Sequence, residues 1–120
     1  MAKPAKADSK KPQSSAAPAG PAPAAPPRLE PDQIARALAD LPEWSDMAGT
    51  IQRTYAFADF VNSLAFVRSA GAEAERVQHH PDILIRYNKV TMTLSTHDSG
   101  GITQRDIDMA HALDRLSGQA

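Results

Sequence analysis

The chain has 120 residues, no cysteine and a formal net charge of −1, which sets an expectation of one domain. Without cysteine there is no disulfide framework, no thiolate nucleophile and no Cys-ligated zinc. No apolar run approaches the roughly 18 residues of a spanning helix, and the lysine-bearing start lacks the apolar core of a secretory signal, so a cytoplasmic, non-membrane protein is expected.

Residues 1–27 hold seven of the ten prolines, nine alanines and four lysines, with no Leu, Ile, Val, Phe, Tyr or Trp. Such a stretch cannot bury enough apolar surface to offset the entropy of ordering, and it reads as a disordered tail. The folding unit is then residues 28–120, small but sufficient for one core. It carries nine basic and thirteen acidic residues, a net of −4. That balance argues against a nucleic-acid partner, whose binding comes mainly from phosphate neutralisation.

The first helix follows Pro31, a good first helical residue because its missing N–H has no partner there anyway. Ile34, Leu38 and Leu41 recur at helical spacing and Pro42 ends the run. Ile51, Arg53, Tyr55 and Phe57 then alternate with Gln52, Thr54 and Ala56, the period of a half-buried strand, with residues 44–48 as its hairpin partner across Gly49. Asp59 reads as a helix cap. Phe60, Leu64, Val67, Gly71, Ala74 and Val77 predict the buried face of a long helix ending near Gln78.

His79-His80-Pro81 breaks that helix, since proline disfavours helical geometry in the residue before it. Ile83, Ile85 and Tyr87 make one short strand and Val90, Met92 and Leu94 another. Asn88-Lys89 is either the turn between them or a bend in one longer strand. Thr103 with Asp106 three residues on is a capping-box variant, Ile102 and Ile107 are placed as a hydrophobic staple, and Gly118 closes the last helix. The order α-β-β-α-β-β-α predicts an α+β fold of two layers. Its four-stranded antiparallel sheet carries three helices packed on one face.

Three of the four histidines, His79, His80 and His97, stand at element ends, where a rigid scaffold usually presents catalytic side chains. Their neutral-range titration suits proton exchange at working pH, and two such groups on one pocket can protonate one atom while deprotonating another. Single boundary histidines are more often caps or solvated loop residues, so the case rests on the three together. His111, mid-helix, reads as structural, and Asp106 reads first as a helix cap. Zinc is disfavoured: adjacent histidines in an extended segment point opposite ways and make poor joint ligands with His97 and Asp98.

The strings Glu75-Arg76-Val77-Gln78-His79-His80-Pro81-Asp82, Tyr87-Asn88-Lys89-Val90, Thr93-Leu94-Ser95-Thr96-His97 and Arg105-Asp106-Ile107 resemble the pterin-4a-carbinolamine dehydratase family. The resemblance spans residues 28–120 and includes Trp44 and the Phe57-Ala58-Asp59-Phe60 helix entry. It implies a lyase that dehydrates 4a-hydroxytetrahydropterin to quinonoid dihydropterin in tetrahydropterin recycling, with no metal and no cofactor. By that match His79 and His97 are an acid/base pair of unassigned order, and His80 binds and orients the pterin. Glu75 is a supporting carboxylate one turn before His79. Pro81, Thr96, Asp98 and Ser99 belong to substrate-contacting segments, and Asp106 and Trp44 are supporting residues.

One departure is Ile83, where the family often has an aromatic; Trp44 is either a replacement ring neighbour or ordinary core packing. The resemblance also implies a homodimer or homotetramer. The alternative function is a non-catalytic binding or assembly module, or a transcriptional cofactor, of the same fold; the joint presence of His79, His80 and His97 favours the enzyme.

Overall fold

The computed structural model describes residues 25–119. The tail assigned to residues 1–27 therefore lies outside the described residues except at its last three positions. In chain order the elements are α1 (Pro31–Leu38), β1 (Ser45–Asp46), β2 (Ile51–Ala56), α2 (Phe60–Val77), β3 (Asp82–Arg86), β4 (Lys89–Leu94), a one-turn 3-10 helix (His97–Ser99) and α3 (Gln104–Ser117). The four strands form one antiparallel sheet in the order β1-β2-β4-β3. The expected α+β arrangement of three helices and four antiparallel strands is the one observed.

Strand alternation sets the core. Ile51, Tyr55, Val90, Met92 and Leu94 point to the helix layer and are buried, and they meet Phe66, Ala70 and Ala74 of α2 and Ile107, Ala110 and Leu113 of α3. Tyr55, Phe57 and Phe66 form a ring cluster with centroids 4.8–6.5 Å apart, an arrangement that adds to plain area burial. The residues between β3 and β4 resolve as a two-residue turn, Tyr87-Asn88, because Arg86 pairs with Lys89.

Helix α2 departs from expectation in its rotation. The stripe Phe60, Leu64 and Val77 is 41–45% exposed, and the face turned inward is Ser63, Phe66, Ala70 and Ala74 with Val67 beside it. The helix is apolar over a wide arc, so spacing alone does not choose between neighbouring stripes. Small Ser63 and Ala70, both fully buried, let the helix lie close to its neighbours while Phe66 fills the gap against Tyr55 and Phe57. Asp59 caps the helix by accepting from Asn62 N–H at 2.9 Å. Gln78, at φ 54°, ends it in the left-handed region.

Candidate active site

The left-handed turn at Gln78 throws the chain off the helix axis, so His79 and His80 leave α2 on different sides. His79 turns inward and is 8% exposed. Its Nε2 lies 2.6 Å from Asp106 Oδ1. Asp106 is fully buried at the start of α3, and its other oxygen accepts from the Thr96 hydroxyl at 2.8 Å and from Thr103 N–H at 2.9 Å. The two threonine hydroxyls meet at 2.7 Å, and Arg105 N–H donates to Thr103 Oγ1 at 3.2 Å.

With the Thr96 hydroxyl donating to Asp106, the Thr103 hydroxyl is the donor between the two threonines. A carboxylate that only accepts then requires the proton on His79 Nε2. Among the described residues Nδ1 has no hydrogen-bond partner, and the buried carboxylate faces the ring from the other nitrogen.

His80 turns outward, and its Nε2 lies 2.5 Å from Glu75 Oε2, both side chains being exposed. Glu75 thus supports His80, not His79, because the helix ends at Val77 and the four-residue spacing to His79 is no longer helical. His97 opens the 3-10 turn directly after Thr96 and is exposed, as is Asp98, while Ser99 is half-buried. Pro81 is half-buried at the entry to β3. The buried His79–Asp106–Thr96 cluster therefore connects, through one peptide unit, to the loop that carries His97, Asp98 and Ser99.

Trp44 does not join this group. It is buried, and its Nε1 donates to Asp114 Oδ1 at 3.0 Å. Asp114 is eight residues beyond Asp106 on α3, about 12 Å along the axis. The same oxygen accepts from Arg53 Nη1 at 2.8 Å and Tyr55 OH at 2.5 Å. Burial and the bond to Asp114 push the Tyr55 phenol well above its ordinary range. This network is the core-packing alternative for Trp44. His111 lines a cavity of about 300 Å³ with Arg53 and Asp114, apart from His79. Ile83 sits on the edge strand β3, 38% exposed.

Thr103 is the site residue that sequence reasoning placed only as a cap; its hydroxyl also completes the Thr96–Asp106 chain. A cleft of about 400 Å³ beside His79, between α2 and α3, is lined by Arg76, Arg105, Arg115, Asp108 and Met109 among others. Among the described residues no three His, Asp or Glu side chains gather as a metal-ligand set.

Comparison with known proteins gives a consistent result. The family profile described as pterin 4 alpha carbinolamine dehydratase matches residues 27–116. A protein of Thermosynechococcus vestitus named "Putative pterin-4-alpha-carbinolamine dehydratase" is 46% identical over 90 residues, covering 75% of this chain and 95% of that protein. A Nocardia farcinica protein of the same name is 48% identical over 89 residues, covering 74% and 94%. The crystal structure of a transcriptional coactivator/pterin dehydratase from Brucella melitensis superposes with a TM-score of 0.74 at 34% identity, covering 76% of this chain and 99% of that one. A pterin dehydratase-like RuBisCO assembly factor of the alpha-carboxysome shares the fold, with a TM-score of 0.54 at 22% identity, covering 64% and 89%.

Proposed function

Because the chain belongs to the pterin 4 alpha carbinolamine dehydratase family, we propose that it catalyses loss of water from a 4a-hydroxytetrahydropterin to give the quinonoid dihydropterin. The C4a–O bond breaks, the hydroxyl leaves as water after gaining a proton, and N5 gives up its proton. The reaction needs one acid and one base held on the same substrate, and no electron changes hands.

The observation that carries this reading is the buried His79–Asp106 pair beside the His97 loop. Asp106 holds the His79 ring with Nδ1 turned away from the carboxylate and stabilises the charge on the ring once it takes the N5 proton. His97, exposed at the start of the 3-10 turn, protonates the departing hydroxyl. His80, braced by Glu75, binds and orients the pterin, with Pro81 and Thr96–Ser99 as its other contacts. The unit that does this is residues 28–120.

Direct turnover is the test. Purified chain is expected to accelerate 4a-hydroxytetrahydropterin dehydration above the spontaneous rate, equally with and without a metal chelator. An unchanged spontaneous rate, or activity abolished by the chelator, overturns the proposal. A second reading, a binding module for a protein partner, draws on the exposed apolar stripe of α2 at Phe60, Val61 and Leu64; it predicts that substitutions there matter and that His79 does not.

A further inference from the structure

The loop that carries His97 is closed by its own backbone bonds, Ser99 N–H to Thr96 O and Gly100 N–H to His97 O, each at 3.0 Å, above a Thr96–Gly101 bridge. Gly100 is left-handed at φ 73° and Gly101 follows it, and adjacent glycines leave the backbone free to move. Three contacts with residues 26–29 tie it to the start of the domain. The Ser99 hydroxyl donates to the Pro26 carbonyl at the crown of the loop. Leu29 N–H donates to Ile102 O at 2.8 Å at its exit, with the Leu29 side chain packed on the core.

Between these two bonds the stem of Arg28 lies across Gly101. A β-carbon at residue 101 would meet Arg28 Cδ at 2.7 Å and Cγ at 3.2 Å. Gly101 is not in the left-handed region, so what a side chain there would displace is the exposed stem of Arg28. Beneath, Thr96 N–H donates to Gly101 O at 2.8 Å, and the Thr96 hydroxyl reaches Asp106. The strap, the loop and the His79 pair are thus one connected set of contacts.

We infer that residues 26–29 form a positioning strap for the acid–base site, with Arg28 and Ser99 setting where the His97 imidazole stands relative to His79. This rests on the role proposed for His97 above. Arg28 does not need to touch the pterin to act; displacement of a reacting group by about 1 Å costs on the order of 10²-fold in rate.

The test uses the full-length chain with Gly101→Ala, Arg28→Ala, Ser99→Ala and the double variant Arg28→Ala/Gly101→Ala. Two readouts are taken: kcat and KM for 4a-hydroxytetrahydropterin, and the histidine ring resonances by NMR across a pH series. Gly101→Ala is expected to lower kcat by about tenfold or more with a smaller change in KM, and to displace the His97 resonances while those of His111 stay in place. The double variant removes the obstructing stem, so both readouts return to the Arg28→Ala values. Ser99→Ala decides the matter if Gly101→Ala does not fold, and it is expected to broaden or shift the His97 signals. Unmoved His97 resonances in the folded variants, or a double variant no better than Gly101→Ala alone, overturn the strap. A parent chain without turnover would refute the proposed function, yet the resonances would still report on the strap.

Discussion

Asp106 bonds His79 through one oxygen and, through the other, both the Thr96 hydroxyl and the backbone N–H that opens α3. The capping half of this was legible, because Thr103 and Asp106 stand three apart. The His79 half was not, since the histidine lies 27 positions upstream and only the fold brings it near. Asp106→Asn should keep the cap, because an amide oxygen can still accept from Thr103, while presenting an N–H where His79 needs an acceptor. The expected result is a near-normal melting temperature with turnover reduced on the order of 10²–10⁴-fold. Asp106→Ala should lower stability as well, since each buried donor left unpaired costs about 1–3 kcal/mol. His79→Ala and His97→Ala should each lose most turnover while folding, and His111→Ala little; steady-state rates beside thermal melts separate these cases.

Among the elements, β2 and α3 are joined by a buried charge that the sequence shows only from one side. Arg53 falls in the apolar phase of its strand, a visible sign of a buried cation, but Asp114, 61 residues on, reads as an ordinary polar position of the last helix. Asp114→Ala removes the acceptor shared by Trp44, Arg53 and Tyr55 and leaves a buried guanidinium without its counter-charge. The cost is expected at about 3–5 kcal/mol, read from the denaturant midpoint. The Tyr55 phenol, raised chiefly by burial and then by Asp114, adds a pH dependence. A tyrosine whose folded pKa lies above its unfolded value of about 10 favours the fold below that pH, and the contribution is lost as pH rises further. Stability should therefore fall above about pH 10, and Tyr55→Phe should flatten that part of the curve; equal slopes in parent and variant would refute the assignment. The rotation of α2 was illegible for a different reason. Its apolar residues cover two neighbouring stripes, and the choice depends on how closely Ser63 and Ala70 let it approach, which is a property of its neighbours.

At the scale of the molecule, the sheet has one long open edge. β1 is two residues long, whereas β3 runs Asp82–Arg86 with no strand beyond it among the described residues. Ile83, Leu84 and Tyr87 are exposed there, and Leu84 and Arg86 share a groove with Thr54 and Thr91 on the side of the sheet away from the core. A second apolar surface, Phe60, Val61 and Leu64 of α2, stands on the helix layer. An open apolar edge is a template for pairing, and closed symmetry is the commonest way to cover one. Charged guards are few, because Arg53 points into the core and Arg86 and Lys89 are the basic residues exposed near the β3 turn. Two distinct surfaces on one chain can be buried together in a dimer of dimers, one contact through the β3 edge and one through α2. Light scattering at micromolar concentration is expected to give a mass of at least twice 12.8 kDa. Leu84→Lys should weaken the first contact and Leu64→Lys the second, each reducing the mass without lowering the helix signal. A parent mass of 12.8 kDa would mean that these surfaces stay bare and that the chain works as a monomer.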